Sequence, residues 1–178
     1  MRPEVDVPRR GCLNVGMATL EEAIHKDIPI AKSMGVKVRA ASSAHVTIAA
    51  PLAPNTNHKS TAFGGSVFSV AVLSCWALVS KALEEWGFQV DYVVVQDGHM
   101  EYTFPVGSDF EAESSWASER EANRFKSMLE KKGLARATLR SVVRSQGREC
   151  ATLEARFAAR TEPRPEAQGK NESRTRTQ

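Results

Sequence analysis

The sequence predicts an α+β domain in which an antiparallel sheet curls around one long buried helix. Three observations predict it. Residues 66–86 are apolar on nearly every face, with only small serines as polar breaks before Ser80, and a helix of that kind must be wrapped by other structure. Several later segments alternate apolar and polar residues with the period of two that marks a strand with one face in a core. At 178 residues the chain fits one domain able to bury most of its apolar surface.

The elements follow in order. Residues 1–18 carry Pro3, Pro8, Gly11 and Gly16 without periodicity and read as an extended arm. A helix is expected from Thr19, where Thr19-Leu20-Glu21-Glu22 is a possible capping box, and Pro29 should end or kink it. Strands are expected at 36–41 and 45–50, rich in β-branched residues and joined as a hairpin through Ser42-Ser43. The stretch from Pro51 to Gly65 is loop by its proline, asparagine and glycine content and runs into the buried helix. Met100, Tyr102 and Phe104, then Phe110, Ala112 and Ser114, alternate with polar residues and read as half-buried strands.

Ser118 and Glu121 can form a second capping box for a surface helix with Ala122, Phe125, Met128 and Leu129 on one face and Gly133 at its end. The last two strands alternate Ala137, Leu139, Ser141 and Val143, then Ala151, Leu153, Ala155 and Phe157, against charged neighbours, with Gln146-Gly147 as the tight turn. The domain therefore spans 19–160. Residues 161–178 hold no aliphatic larger than Ala167 and are expected to be a disordered tail.

Composition excludes several classes of function. With 42% hydrophobic and 25% charged residues the chain is ordinary globular material, and a net charge of +3 without a basic stripe argues against nucleic acid as a partner. The three cysteines, Cys12, Cys75 and Cys150, are far apart and odd in number, which fits reduced thiols and a cytoplasmic protein. Met1 to Arg10 lack the apolar core of a secretory signal. The nearly apolar run from Val67 to Val79 is too short as a helix for the ~30 Å of a bilayer core, so no membrane is expected.

Chemistry is concentrated at the start of the buried helix. Pro51-Leu52-Ala53-Pro54-Asn55, Asn57-His58-Lys59, Thr61-Ala62-Phe63-Gly64-Gly65-Ser66, Trp76 and the Tyr102-x-x-Pro105-Val106 pattern resemble the thioesterase-like domain at the C-terminus of YiiD proteins. That family lies in the hotdog superfamily, and the resemblance covers roughly residues 19–160. It implies a hotdog fold, an acyl-CoA or acyl-carrier-protein thioester as substrate, no cofactor beyond the CoA or phosphopantetheine that the substrate carries, and a homo-oligomer with the site at its two-fold interface.

Diglycine at a helix start has its own physical reading. Free N–H groups and the positive end of the dipole can hold a thioester carbonyl that glycine allows to come close. Tight helix-to-sheet packing would also use glycine. The expected site thus has Gly65, Asn57, His58 and Asp97 as catalytic candidates, with Asn55, Lys59, Thr61, Phe63, Gly64 and Ser66 as substrate-binding candidates. Asn57 could bind the thioester or a carboxylate through its amide, although asparagine is also common in turns. His58 could be acid or base, and Lys59 could meet a carrier phosphate or simply face solvent.

A large group of hotdog thioesterases carries a carboxylate two turns into the central helix, where this sequence has Val72; no carboxylate occurs between Ser66 and Lys81. Hydrolysis then needs another base, the candidates being His58, Asp97 and His99. Ser74 and Cys75 fit core packing better than nucleophilic attack. Two further readings remain open beside hydrolysis. Decarboxylation of a malonyl thioester needs an oxyanion hole and a dry pocket but no activated water. A non-catalytic acyl-thioester binder would need no ionisable group at all.

Overall fold

The computed structural model describes residues 17–161; the expected arm and tail lie outside the described residues, apart from the few that join the first helix and the last strand. Pro29 divides the first helical stretch into α1 (Met17–Asp27) and α2 (Pro29–Ser33). Because α1 starts at Met17, Thr19 sits within its first turn and not at the N-cap position expected for it. Glu21 spends its carboxylate elsewhere, accepting the Val38 amide at 2.8 Å. That bond ties α1 to the first strand.

The hairpin is as expected: β1 (Lys37–Ala41) and β2 (His45–Ala50) run antiparallel. The Ser42 hydroxyl accepts the amides of Ala44 and His45 and closes their connection. Next come α3 (Gly64–Glu85), β3 (Val90–Tyr102), β4 (Phe110–Ser115), α4 (Glu119–Lys132), β5 (Leu134–Ser145) and β6 (Arg148–Thr161). The strands form one six-stranded sheet of order β1-β2-β4-β5-β6-β3, with every neighbouring pair antiparallel.

The sheet wraps α3, whose Val70, Ala71, Leu78 and Leu83 are buried against Ile48, Leu139, Leu153 and Phe157 in one core cluster. Burying the valine, leucine, isoleucine and phenylalanine side chains among these stabilises by about 1.5–3 kcal/mol each relative to exposure. At 22 residues α3 is longer than the apolar run suggests, and its length and composition would allow it to cross a bilayer. Burial, not length, is what makes it a core helix: 61% of its most apolar window is enclosed by the protein.

The second half follows the sequence reading closely. Ser118 is the N-cap of α4, its hydroxyl accepting the Glu121 amide at 3.3 Å, and Gly133 ends the helix in the left-handed region. Phe125 and Leu129 are buried, with Phe125 against Trp116 and Trp116 against Trp86. Gln146 and Gly147, at φ 52° and 76°, make the β5–β6 turn. Strand β6 continues to Thr161, which is buried and bonded to the Gly133 carbonyl, one residue past the expected end of the domain.

The largest difference lies at β3. It begins at Val90, ten residues before the alternation at Met100, and its side chains are mostly exposed. Tyr102 and Phe104, expected on a half-buried strand, are 53% and 44% exposed, and Phe104 lies beyond the strand end. The physical reason is position. β3 is an edge strand paired only with β6, and its residues 94–99 are exposed on both faces, so no alternation of burial is imposed there.

Candidate active site at the start of the central helix

The loop after β2 is built by its asparagines. Asn55 is buried, and its amide donates to the carbonyls of Met34 and Pro51 at 2.8 and 2.7 Å, fixing the loop to the body. Its own carbonyl accepts the Phe63 amide at 2.7 Å. Asn55 therefore holds both ends of the loop, while its side-chain Oδ1 is buried without a hydrogen-bond partner among the described residues.

Asn57 closes the loop tip. Its Oδ1 accepts the amides of Lys59 and Thr61 at 2.8 and 3.3 Å, and its Nδ2 donates to Thr61 Oγ1 and the Ala62 carbonyl at 3.0 and 3.3 Å. A carboxamide has two donor hydrogens and two acceptor lone pairs, and all four are engaged. Within this chain the amide expected to meet the thioester is spent on the loop, and Thr61, expected to bind substrate, is its partner. His58 and Lys59 project from the tip, exposed, and among the described residues neither side chain forms a hydrogen bond or ion pair.

The loop delivers the chain to α3 through Phe63, an N-cap that carries no capping oxygen. The first intrahelical bond runs from the Val67 amide to the Phe63 carbonyl. The N–H groups of Gly64, Gly65 and Ser66 have no acceptor among the described residues. Such orphan donors at the positive end of a 22-residue helix are suited to a developing negative charge.

The two glycines are close to aromatic rings. A Cβ on Gly65 would stand 2.3 Å from Phe63 Cε1, so the Phe63 ring lies against the bare backbone there. A Cβ on Gly64 would meet the Tyr102 ring at 3.6 Å, and the Tyr102 hydroxyl donates to the Gly64 carbonyl at 2.8 Å. Partial burial raises the Tyr102 pKa above its ordinary value. The sequence marks Tyr102 through a strand pattern and the Tyr102-x-x-Pro105-Val106 resemblance, but the bond that brings it to the site spans 38 residues and leaves no local signal.

Asp97 does not join this group within the chain. Gly98 faces α3, its would-be Cβ 3.6 Å from Phe68 and 3.4 Å from Ala155 and Leu153. Successive strand residues alternate faces, so Asp97 and His99 point to the opposite side of the sheet. There Asp97 pairs with Arg156. Within one chain, strand parity turns both Asp97 and His99, the expected base candidates, away from the helix.

Ser74 and Cys75 are core residues, as expected. Ser74 donates to the Ala71 carbonyl and shares a 2.8 Å bond with Ser141, while burial pushes the Cys75 thiol up to about 12. A thiol held neutral is not a nucleophile. Val72 is half-buried on α3, and the helix carries no carboxylate before Glu84. A cleft of about 560 Å³ between β1 and the β5–β6 turn, lined by Lys37, Asp109, Glu111 and Arg144 among others, includes none of these residues.

An antiparallel sheet wrapped around a central helix, with bare amides at a glycine-lined helix start, defines a hotdog-fold protein of the thioesterase-like class. The chain belongs to the family described as "Putative thioesterase (yiiD_Cterm)", whose model matches residues 17–161. Solved structures agree. A protein of unknown function from Chlorobaculum tepidum is 27% identical, with a TM-score of 0.76 over 82% of this chain and 94% of that one. A "putative thioesterase" from Shewanella oneidensis is 25% identical, with a TM-score of 0.72 over 80% and 96%. A "Probable Thioesterase" from Pseudomonas aeruginosa, 19% identical with a TM-score of 0.72 over 83% and 97%, shares the fold.

Proposed function

We propose that the protein is an enzyme acting on an acyl-CoA or acyl-carrier-protein thioester, and that it hydrolyses it to the free acid and thiol. The observation that carries this reading is the set of unclaimed amides at Gly64, Gly65 and Ser66. A thioester carbonyl placed there gains hydrogen bonds that strengthen as its oxygen becomes an oxyanion, the interaction that usually contributes most to acyl transfer. Gly64 and Gly65 allow the approach, Phe63 flanks it, and Asn57 positions the loop through Thr61. His58, exposed and unengaged on that loop, is the group free to take the proton of water. The substrate brings its own CoA or phosphopantetheine, so the reaction calls for no separate cofactor, nucleic acid or membrane.

Exposed Val94 and Val95 on the β3 edge support a homo-oligomer in which a second copy pairs along that strand. Sedimentation showing only monomer at micromolar concentration would remove that part. The buried, unpaired Cys75 and Cys150 suit a cytoplasmic setting.

A second reading, malonyl-thioester decarboxylation, is favoured by one observation: α3 has no carboxylate before Glu84, and Asp97 is paired on the opposite face. The same amides would hold the enolate, and no water need be activated. Mass spectrometry of products from a panel of acyl and malonyl thioesters decides. Free acid with thiol supports hydrolysis, carbon dioxide with an intact acetyl thioester supports decarboxylation, and neither product leaves a non-catalytic binder.

A further inference from the structure

We infer that Arg148, laid over the ring of Phe104, recognises a phosphate on the pantetheine handle of the thioester substrate. The inference rests on the proposed thioester reading and concerns a residue that has no part in the carbonyl site. It starts from the pairing of arginines on the sheet. Arg39, Arg140, Arg144, Arg156 and Arg160 each hold a carboxylate, and Arg136 holds the Gln96 amide oxygen. Arg148 has no such partner among the described residues. Its guanidinium lies 3.2 Å from the centroid of the Phe104 ring, which is itself 44% exposed.

Stacking of that kind holds the planar cation in place by its face and leaves the N–H edges free to bind an oxyanion. A planar fork presented this way matches a phosphate geometrically, which an exposed lysine does not.

Position ties this cation to the site. Phe104 is two residues from Tyr102, at most ~7 Å along the backbone, and Tyr102 donates to the carbonyl of Gly64. The Thr103 and Phe104 amides both bond the Cys150 carbonyl, which fixes Phe104 beside the start of β6, where Arg148 stands. The Ala62 amide bonds the Val106 carbonyl and brings the loop carrying His58 and Lys59 alongside the same segment. The pantetheine arm between thioester and phosphate has about the reach of four extended residues, ~14 Å. On this inference the carbonyl sits at Gly65 and the phosphate, at the far end of that arm, at Arg148.

The test compares the protein with its Arg148→Gln variant, which keeps a polar exposed side chain and removes the charge. The same acyl group is presented on coenzyme A, dephospho-coenzyme A, phosphopantetheine and pantetheine. Arg148→Gln should lower kcat/KM about tenfold on the first three, the usual effect of losing one charged hydrogen bond, and leave acyl-pantetheine unchanged. A loss confined to coenzyme A, absent from dephospho-coenzyme A and phosphopantetheine, would place Arg148 on the nucleotide 3′-phosphate, beyond the pantetheine arm, and overturns the inference. An equal loss on acyl-pantetheine, or no loss on any, overturns the inference. Calorimetric titration of coenzyme A into both proteins separates the two levels: Arg148-dependent binding without turnover sinks the catalytic reading and keeps the phosphate site, whereas turnover with Arg148-independent binding does the reverse.

Discussion

Substituting Gly65 by alanine separates a glycine kept for chemistry from one kept for packing. The new methyl would stand 2.3 Å from Phe63 Cε1 and 2.9 Å from Cζ, so the ring must leave. It can leave cheaply, because Phe63 is 58% exposed and the atoms met are the far end of its side chain. Against that, alanine is up to about 1 kcal/mol better than glycine in a helix, and less so in the first turn. The two effects nearly cancel. Stability should stay within ~1 kcal/mol of the parent, a melting shift of no more than about 4 °C. The methyl meanwhile crowds the amide to which the proposal assigns the thioester oxygen, and denying the oxygen one such donor would lower kcat by about 10²–10³. Thiol release from the best acyl thioester, measured beside a circular-dichroism melt, reads both quantities. Phe63→Ala is the control for displacing the ring alone, and it should keep most activity. Parent-level turnover in Gly65→Ala would refute the site, and destabilisation beyond ~3 kcal/mol would show that the glycine serves packing.

Three further outcomes follow from the same geometry. Asn57→Ala should lose turnover together with loop order, since four hydrogen bonds go with its amide; faster hydrogen exchange at residues 59–62 checks this, and retained protection would refute it. His58→Ala should leave the melting temperature unchanged and lower hydrolysis about a hundredfold if His58 is the base; an unchanged hydrolytic rate would dismiss it. The third concerns alkaline pH. The Cys75 thiol has its pKa raised from 9.0 to about 12 by burial, so between those values the folded chain binds more protons than the unfolded one. Stability from this group is complete below pH ~9 and is lost as pH rises towards 12. Denaturant midpoints should therefore fall over that window more steeply in the parent than in Cys75→Ala, and equal slopes would contradict the assignment.

The legible parts of the sequence are those where burial is imposed by position. α3 reads as a core helix because the sheet surrounds it, and β5, with residues 151–157 of β6, alternates because one face of the sheet packs on the core and the other is open. The first ten residues of β3 carry no such signal, because residues 94–99 are exposed whichever face they occupy. The site divides in the same way. Gly64 and Gly65 were visible through the need for bare backbone at a helix start. The engagement of Asn57, the arrival of Tyr102 and the pairing of Asp97 with Arg156 depend on partners or strand parity that no local spacing encodes.

The geometry also says where the choice between reactions must lie. Hydrolysis and malonyl decarboxylation both pass through a state in which the thioester oxygen gains negative charge, so the amides of Gly64, Gly65 and Ser66 would serve either equally well. Selection between them belongs to whatever faces the acyl carbon from the other side. Within one chain α3 offers only apolar side chains and small serines over its first turns, a surface that disfavours both an ordered water and an ionised carboxylate. The ionisable groups stand either on the loop tip, as His58 does, or across the sheet, as Asp97 does. The β3 edge ends at Tyr102, against Gly64, so a second copy pairing along that edge would bring its own residues to the open side of the same amides. A helix start that binds the oxygen in one protomer, completed by groups from another, would let one scaffold carry either reaction with few changes in residue.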